Sequence, residues 1–153
     1  DTGTIVAANF LNPDNKCKFV ITANNVYHDW KMTEQLGRIA AEQADKLGRK
    51  IAIVVSGGLS GSIFRHTIDI GDDHVASEQE DEWNQKILKL IENGDVKSLL
   101  DVAPEYAGAA KVDMGFKHMA FLLGAIGGDF KSAKVHGYGP LYGSGGAVVE
   151  FNI

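Results

Sequence analysis

The residues of this chain that could do chemistry are few: one glycine-rich loop, scattered histidines and one carboxylate beside an apolar run. Ser56-Gly57-Gly58-Leu59-Ser60-Gly61 directly follows Ile51-Ala52-Ile53-Val54-Val55, and the main-chain amides of the loop 57–62 could cradle an anion. A phosphate loop also needs a lysine and a Ser or Thr at fixed spacing, and no lysine follows here, so the anion signal is weak. His66, His74 and His118 match no compact metal-ligand spacing, and His118 lies five residues from Asp113, off its helical face. Asp113 stands at the head of an apolar helical run and reads as a helix-capping or buried hydrogen-bonded carboxylate. His28-Asp29 is read as a helix start in preference to a mutually orienting pair.

Composition narrows the classes these residues can serve. With 153 residues and 44% apolar content, the chain can bury a core of its own and is expected to form a single α/β domain over 1–153. Fifteen Lys and Arg against twenty Asp and Glu give a net charge of −5, which argues against nucleic acid or an anionic membrane as main partner. The lone cysteine, Cys17, excludes an internal disulfide and a cysteine-based zinc site and suits a reducing compartment such as the cytoplasm. No stretch approaches the roughly 20 apolar residues that span a bilayer, and the start carries no secretory pattern. Asp1 is no natural initiator, so the chain is expected to be the C-terminal part of a longer polypeptide.

The secondary structure around the candidates follows from hydrophobic period. Residues 5–8, 18–22 and 51–55 read as strands, the last apolar on both faces as in a sheet covered by helices. Leu36, Ile39, Ala40, Ala44 and Leu47 hold helical spacing up to the stop at Gly48. Residues 57–76 are too polar and irregular for a core element and read as a long loop. Ser77 and Glu80 form a capping box opening a helix to Asn93-Gly94, with Trp83, Ile87, Leu90 and Ile91 as its buried stripe. Asp95 caps a short helix before Pro104, and a largely covered central helix runs from Asp113 to Ile126. Two closing strands, 133–136 and 147–151, flank a glycine-rich loop.

In this order, Gly3-Thr4, His28-Asp29-Trp30, Ser56-Gly57-Gly58-Leu59-Ser60, Pro104-Glu105-Tyr106-Ala107, Leu122-Leu123-Gly124 and the final glycine-rich loop follow the pattern of one family. The chain resembles the class III extradiol ring-cleavage dioxygenases over essentially its whole length. Within them it is most similar to the two-component aminophenol-cleaving branch, and to the alpha type of subunit rather than the iron-bearing beta type. The resemblance implies an α/β fold with a mixed sheet covered by helices. It also implies a non-haem iron(II) held by two histidines and a glutamate, with open positions for an aromatic substrate and dioxygen.

On that resemblance, the two histidines fall upstream of this chain and Asp113 stands at the glutamate's place, one methylene short. Gly61 occupies the position of the family's acid/base histidine and cannot move a proton. No catalytic residue is therefore expected on this chain, with iron(II) expected in the holoenzyme on a partner. The expected role is a non-catalytic alpha subunit that supports a homologous beta subunit in a hetero-oligomer, with Trp30, Phe64 and residues 138–146 as interface candidates. Two alternatives remain: an active dioxygenase with Asp113 as carboxylate ligand, and a module that binds a small aromatic ligand.

Overall fold

The computed structural model describes residues 2–23 and 26–153; Asp1 lies outside the described residues. These residues divide into two compact units. Residues up to Gly57 together with Lys117–Ala125 form the first, and Gly58–Phe116 with Ile126–Ile153 form the second.

In the first unit, the strand expected at residues 5–8 is instead part of a helix, α1 (Thr2–Leu11). A short apolar run carries no period that separates helix from strand, and a strand needs a partner ladder. Residues 18–22 and 51–55 are likewise without regular structure, so the mixed sheet does not form among the described residues. Their apolar side chains are correspondingly open, with Val20, Ile21, Ile51 and Val54 all exposed.

Helix α2 (Trp30–Lys46) begins where Asp29 accepts a hydrogen bond from the Met32 amide at 2.7 Å, confirming the expected helix start. It stops at Leu47, followed by Gly48 in the left-handed region at φ +63°. Its buried positions are Thr33 and Gly37, whereas Ile39 and Leu47 of the expected stripe are exposed. Close helix approach explains the choice. A Cβ on Gly37 would lie 2.1 Å from the Phe121 carbonyl oxygen, and one on Gly124 would lie 1.9 Å from that of Glu34. Backbone therefore packs on backbone between α2 and α5 (Lys117–Ile126), in which Met119, Leu122 and Leu123 are buried.

Helix α5 starts four residues later than expected. Residues Asp113–Phe116 form a 3₁₀ turn in which Met114 and Gly115 have left-handed backbone angles. A right-handed α-helix cannot propagate through such residues, so Asp113 caps no α-helix.

The second unit is built on α3 (Glu78–Glu92), α4 (Val96–Ala109) and an antiparallel hairpin, β1 (Ser132–Leu141) and β2 (Ser144–Asn152). Ser77 caps α3 through its hydroxyl, which accepts from the Glu80 amide at 3.2 Å. The other half of the predicted box does not form, because the Glu80 carboxylate bonds elsewhere. Its buried face is Glu80, Asn84, Ile87, Leu88 and Ile91, while Trp83 and Leu90 of the expected stripe are only half-buried.

Asp95 caps α4 by accepting from the Ser98 amide at 3.0 Å, and hydrogen bonds with Ser98 hold its carboxyl below the usual range. Helix α4 continues through Pro104, where a stop was expected. Proline removes the bond to the Leu100 carbonyl, and Leu100 is exposed, so water can satisfy that oxygen. Helix α3 packs on both α4 and the hairpin. Ile87, Leu99, Tyr106 and Phe116 are fully buried, and the Tyr106 and Phe116 rings meet edge to face at 5.2 Å.

The hairpin is longer than the two strands read from the sequence. Most of the glycine-rich stretch is paired, and only Tyr142 and Gly143 turn, at φ +57° and +94°, the left-handed pair that matches strand twist. The glycines permit close approach as well as turning: a Cβ on Gly145 would lie 2.2 Å from the Asn84 side chain.

Candidate functional site

The second unit brings the two positions singled out in the sequence to one corner. Gly61 donates its amide to the Ala110 carbonyl at 2.9 Å, and a Cβ built on it would lie 3.7 Å from the Asp113 nitrogen. The same Cβ would lie only 2.1 Å from the Lys111 carbonyl oxygen. Main chain thus fills the space into which any side chain at position 61 would grow, and Lys111 takes a left-handed φ of +51° there. Asp113 is exposed.

The loop carrying Gly61 is held from three sides. Asn84, with 0% exposure, accepts from the Ser60 amide and the Tyr106 hydroxyl, both at 3.0 Å. Its amide nitrogen donates to the Ser60 hydroxyl at 2.9 Å and to the Tyr138 hydroxyl at 3.1 Å. From β2, the Gly145 amide donates to the Ser60 hydroxyl at 2.9 Å, and the Leu59 amide donates to the Gly145 carbonyl at 3.0 Å. Tyr138 in turn donates to the Asp81 carboxylate. Burial, then the bond to Asp81, pushes the Tyr138 hydroxyl up to about 12, and burial also raises Tyr106.

Beside this network the Ser62 hydroxyl donates to Glu80 Oε1 at 2.5 Å and accepts from Lys111 Nζ at 2.9 Å. Lys111 Nζ also reaches Glu80 Oε1 at 3.2 Å, while Glu80 Oε2 is buried and has no hydrogen-bond partner among the described residues. Sequence reasoning missed this group. Glu80 was assigned to the cap alone, although extending the period of Ile87 and Ile91 back along α3 reaches Asn84 and Glu80 on the same face.

The residues at this corner do not make a donor set for iron. They are a single exposed carboxylate, a glycine and an ammonium directed at Ser62 and Glu80, and among the described residues no three His, Cys, Asp or Glu are grouped to hold a metal. In the first unit the His118 ring packs on Gly57, whose Cβ would lie 2.2 Å from Nδ1, and the His28 carbonyl accepts from Lys117 Nζ at 2.7 Å. In the second unit His66 and His74 flank Phe64 at ring distances of 5.6 and 4.9 Å, and His136 meets Glu150 at 2.8 Å across the hairpin.

Of the interface candidates, Trp30 opens α2, whereas Phe64 is engaged by the hairpin tip, its amide donating to the Tyr142 carbonyl at 3.1 Å. Residues 138–146 are paired strand and turn rather than open loop, and Asp73 fixes the turn by accepting from the Tyr142 and Gly143 amides at 2.7 and 3.1 Å. No helix among the described residues is long and apolar enough to cross a membrane.

Residues 1–151 match the family model described as the catalytic LigB subunit of aromatic ring-opening dioxygenase. The whole chain is 46% identical to the 2-aminophenol 1,6-dioxygenase alpha subunit of a Pseudomonas species, covering 57% of that protein. It is 26% identical to the beta subunit from Pseudomonas, covering 54% of it. Over 92% of its length it is 26% identical to 3,4-dihydroxyphenylacetate 2,3-dioxygenase of Escherichia coli, covering 51% of that enzyme. The chain thus spans little more than half the length of these relatives, and it belongs to the LigB family of aromatic ring-opening dioxygenase subunits.

Proposed function

We propose that this chain is part of a non-catalytic, alpha-type subunit of a two-component extradiol dioxygenase that opens an aminophenol ring in the cytoplasm. The single observation that carries the reading is Gly61: main chain of Lys111 occupies the volume an acid/base side chain would need. The greater identity to the alpha subunit than to the beta subunit, 46% against 26%, supports the same assignment. Iron(II) and the reacting ring then belong to a homologous beta subunit, and this chain contributes a folded surface to the hetero-oligomer. Trp30 and the hairpin tip around Tyr142 are its candidate contacts, and the free, exposed Cys17 suits a reducing compartment.

The test is metal analysis and a 2-aminophenol ring-cleavage assay on the full-length protein, purified alone and with its homologous partner. Iron and turnover that appear only with the partner are expected. Stoichiometric iron and turnover in the protein alone would overturn the proposal and assign Asp113 as the carboxylate ligand.

A further inference from the structure

Glu80 is unusual in this chain because its side chain is 3% exposed while the lysine that pairs with it is 69% exposed. A buried carboxylate is costly unless its charge is met and its lone pairs accept hydrogen bonds. Here both donors, the Ser62 hydroxyl and Lys111 Nζ, fall on Oε1, and Oε2 remains enclosed without one. The lysine stem lies largely in water, so packing of its methylenes does little to hold it. What is recognised is the ammonium itself, by one hydroxyl and one carboxylate oxygen contributed by the 58–62 loop and by α3.

We propose that Ser62 and Glu80 form a binding site for a primary ammonium, which the chain fills with its own Lys111. The chemistry of the acceptors selects this ligand class. A compact ammonium offers three separate N–H donors and is satisfied by single contacts at 2.9 and 3.2 Å. A guanidinium is favoured where its planar fork can meet both carboxylate oxygens, and here Oε2 is closed off. A hard divalent cation takes six or more oxygens, and one carboxylate with one hydroxyl falls well short. The site adjoins Gly61, so the corner at which the resemblance places an acid/base group holds an internal cation instead. The assignment holds whichever subunit of the complex carries iron.

The site is tested by emptying it in the full-length protein. Lys111→Ala leaves Glu80 buried and unpaired, and the melting temperature is expected to fall by about 5 °C or more. Ethylammonium chloride at tens of millimolar should restore at least half of that loss. Tetramethylammonium chloride at equal ionic strength has no N–H to donate and should restore none. In the Lys111→Ala/Glu80→Gln double variant the ethylammonium effect should disappear. An unchanged melting temperature in Lys111→Ala, or equal rescue by both salts, overturns the site. Should Lys111→Ala fail to fold, the ammonium ¹H–¹⁵N signal of Lys111 in the wild-type protein decides. A slowly exchanging signal that shifts in Glu80→Gln supports the site, and a freely exchanging one refutes it.

Discussion

Replacing Asn84 by alanine tests whether the loop of Gly61 is held by its polar network rather than by general packing. The substitution removes four hydrogen bonds at once, to the Ser60 amide, the Ser60 hydroxyl, and the Tyr106 and Tyr138 hydroxyls. Two of the partners keep another bond, Ser60 Oγ to the Gly145 amide and Tyr138 to Asp81. The Ser60 amide and the Tyr106 hydroxyl, on residues 1% and 0% exposed, are left as buried donors without acceptors. Each orphan costs about 1–3 kcal/mol, so the expected loss is about 4 kcal/mol, less whatever water entering the vacated space returns. Urea unfolding of the full-length protein measures it, with Ser144→Ala as control because that hydroxyl makes one exposed bond. Site-resolved amide exchange should show the Ser60 amide losing protection first. A loss below about 1 kcal/mol, or a protected Ser60 amide in the variant, would show that general packing holds the loop, because a buried unpaired donor costs about 1–3 kcal/mol.

The remaining predictions concern the blocked position and the buried phenols. Gly61→Ala forces a Cβ to within 2.1 Å of the Lys111 oxygen and should cost roughly 2–3 kcal/mol in urea unfolding. Gly58→Ala meets nothing within 4 Å and should be neutral or stabilising by less than about 1 kcal/mol, so equal effects at the two positions would contradict the close approach at Gly61. Tyr138 has its proton held more tightly in the folded state, up to about 12 against an ordinary 10.0. Its contribution is therefore complete below pH 10 and is lost as pH rises through 12. Melting curves from pH 9 to 12 should show that loss, and Tyr138→Phe should flatten it.

How far the chain could be read depended on whether the governing interactions were local. Caps were legible at Asp29, Ser77 and Asp95, because a side-chain oxygen meeting an amide two or three residues on is written in adjacent positions. The irregular stretch over 57–76 was legible from its polar, aperiodic composition, and its one regular piece is a 3₁₀ turn at Ile70–Asp72. Strand pairing was not: residues 5–8 had the composition of a strand but no ladder partner among the described residues, and they are helical. The interruption at Asp113–Phe116 was also missed, because the apolar period runs on through it while Met114 and Gly115 turn left-handed.

At the candidate corner, residue order alone shows that position 61 has no side chain, that Asp113 is one methylene shorter than glutamate, and that the chain follows its family's landmarks in order. Those are matters of residue type and spacing. It takes the folded chain to show that main chain of Lys111 closes the space above Gly61, and that Glu80 leaves its own helix cap to bind Lys111 and Ser62. Both join residues at least eighteen positions apart, and such contacts leave no period in the sequence, because hydrogen bonds and excluded volume depend on distance in space rather than along the chain.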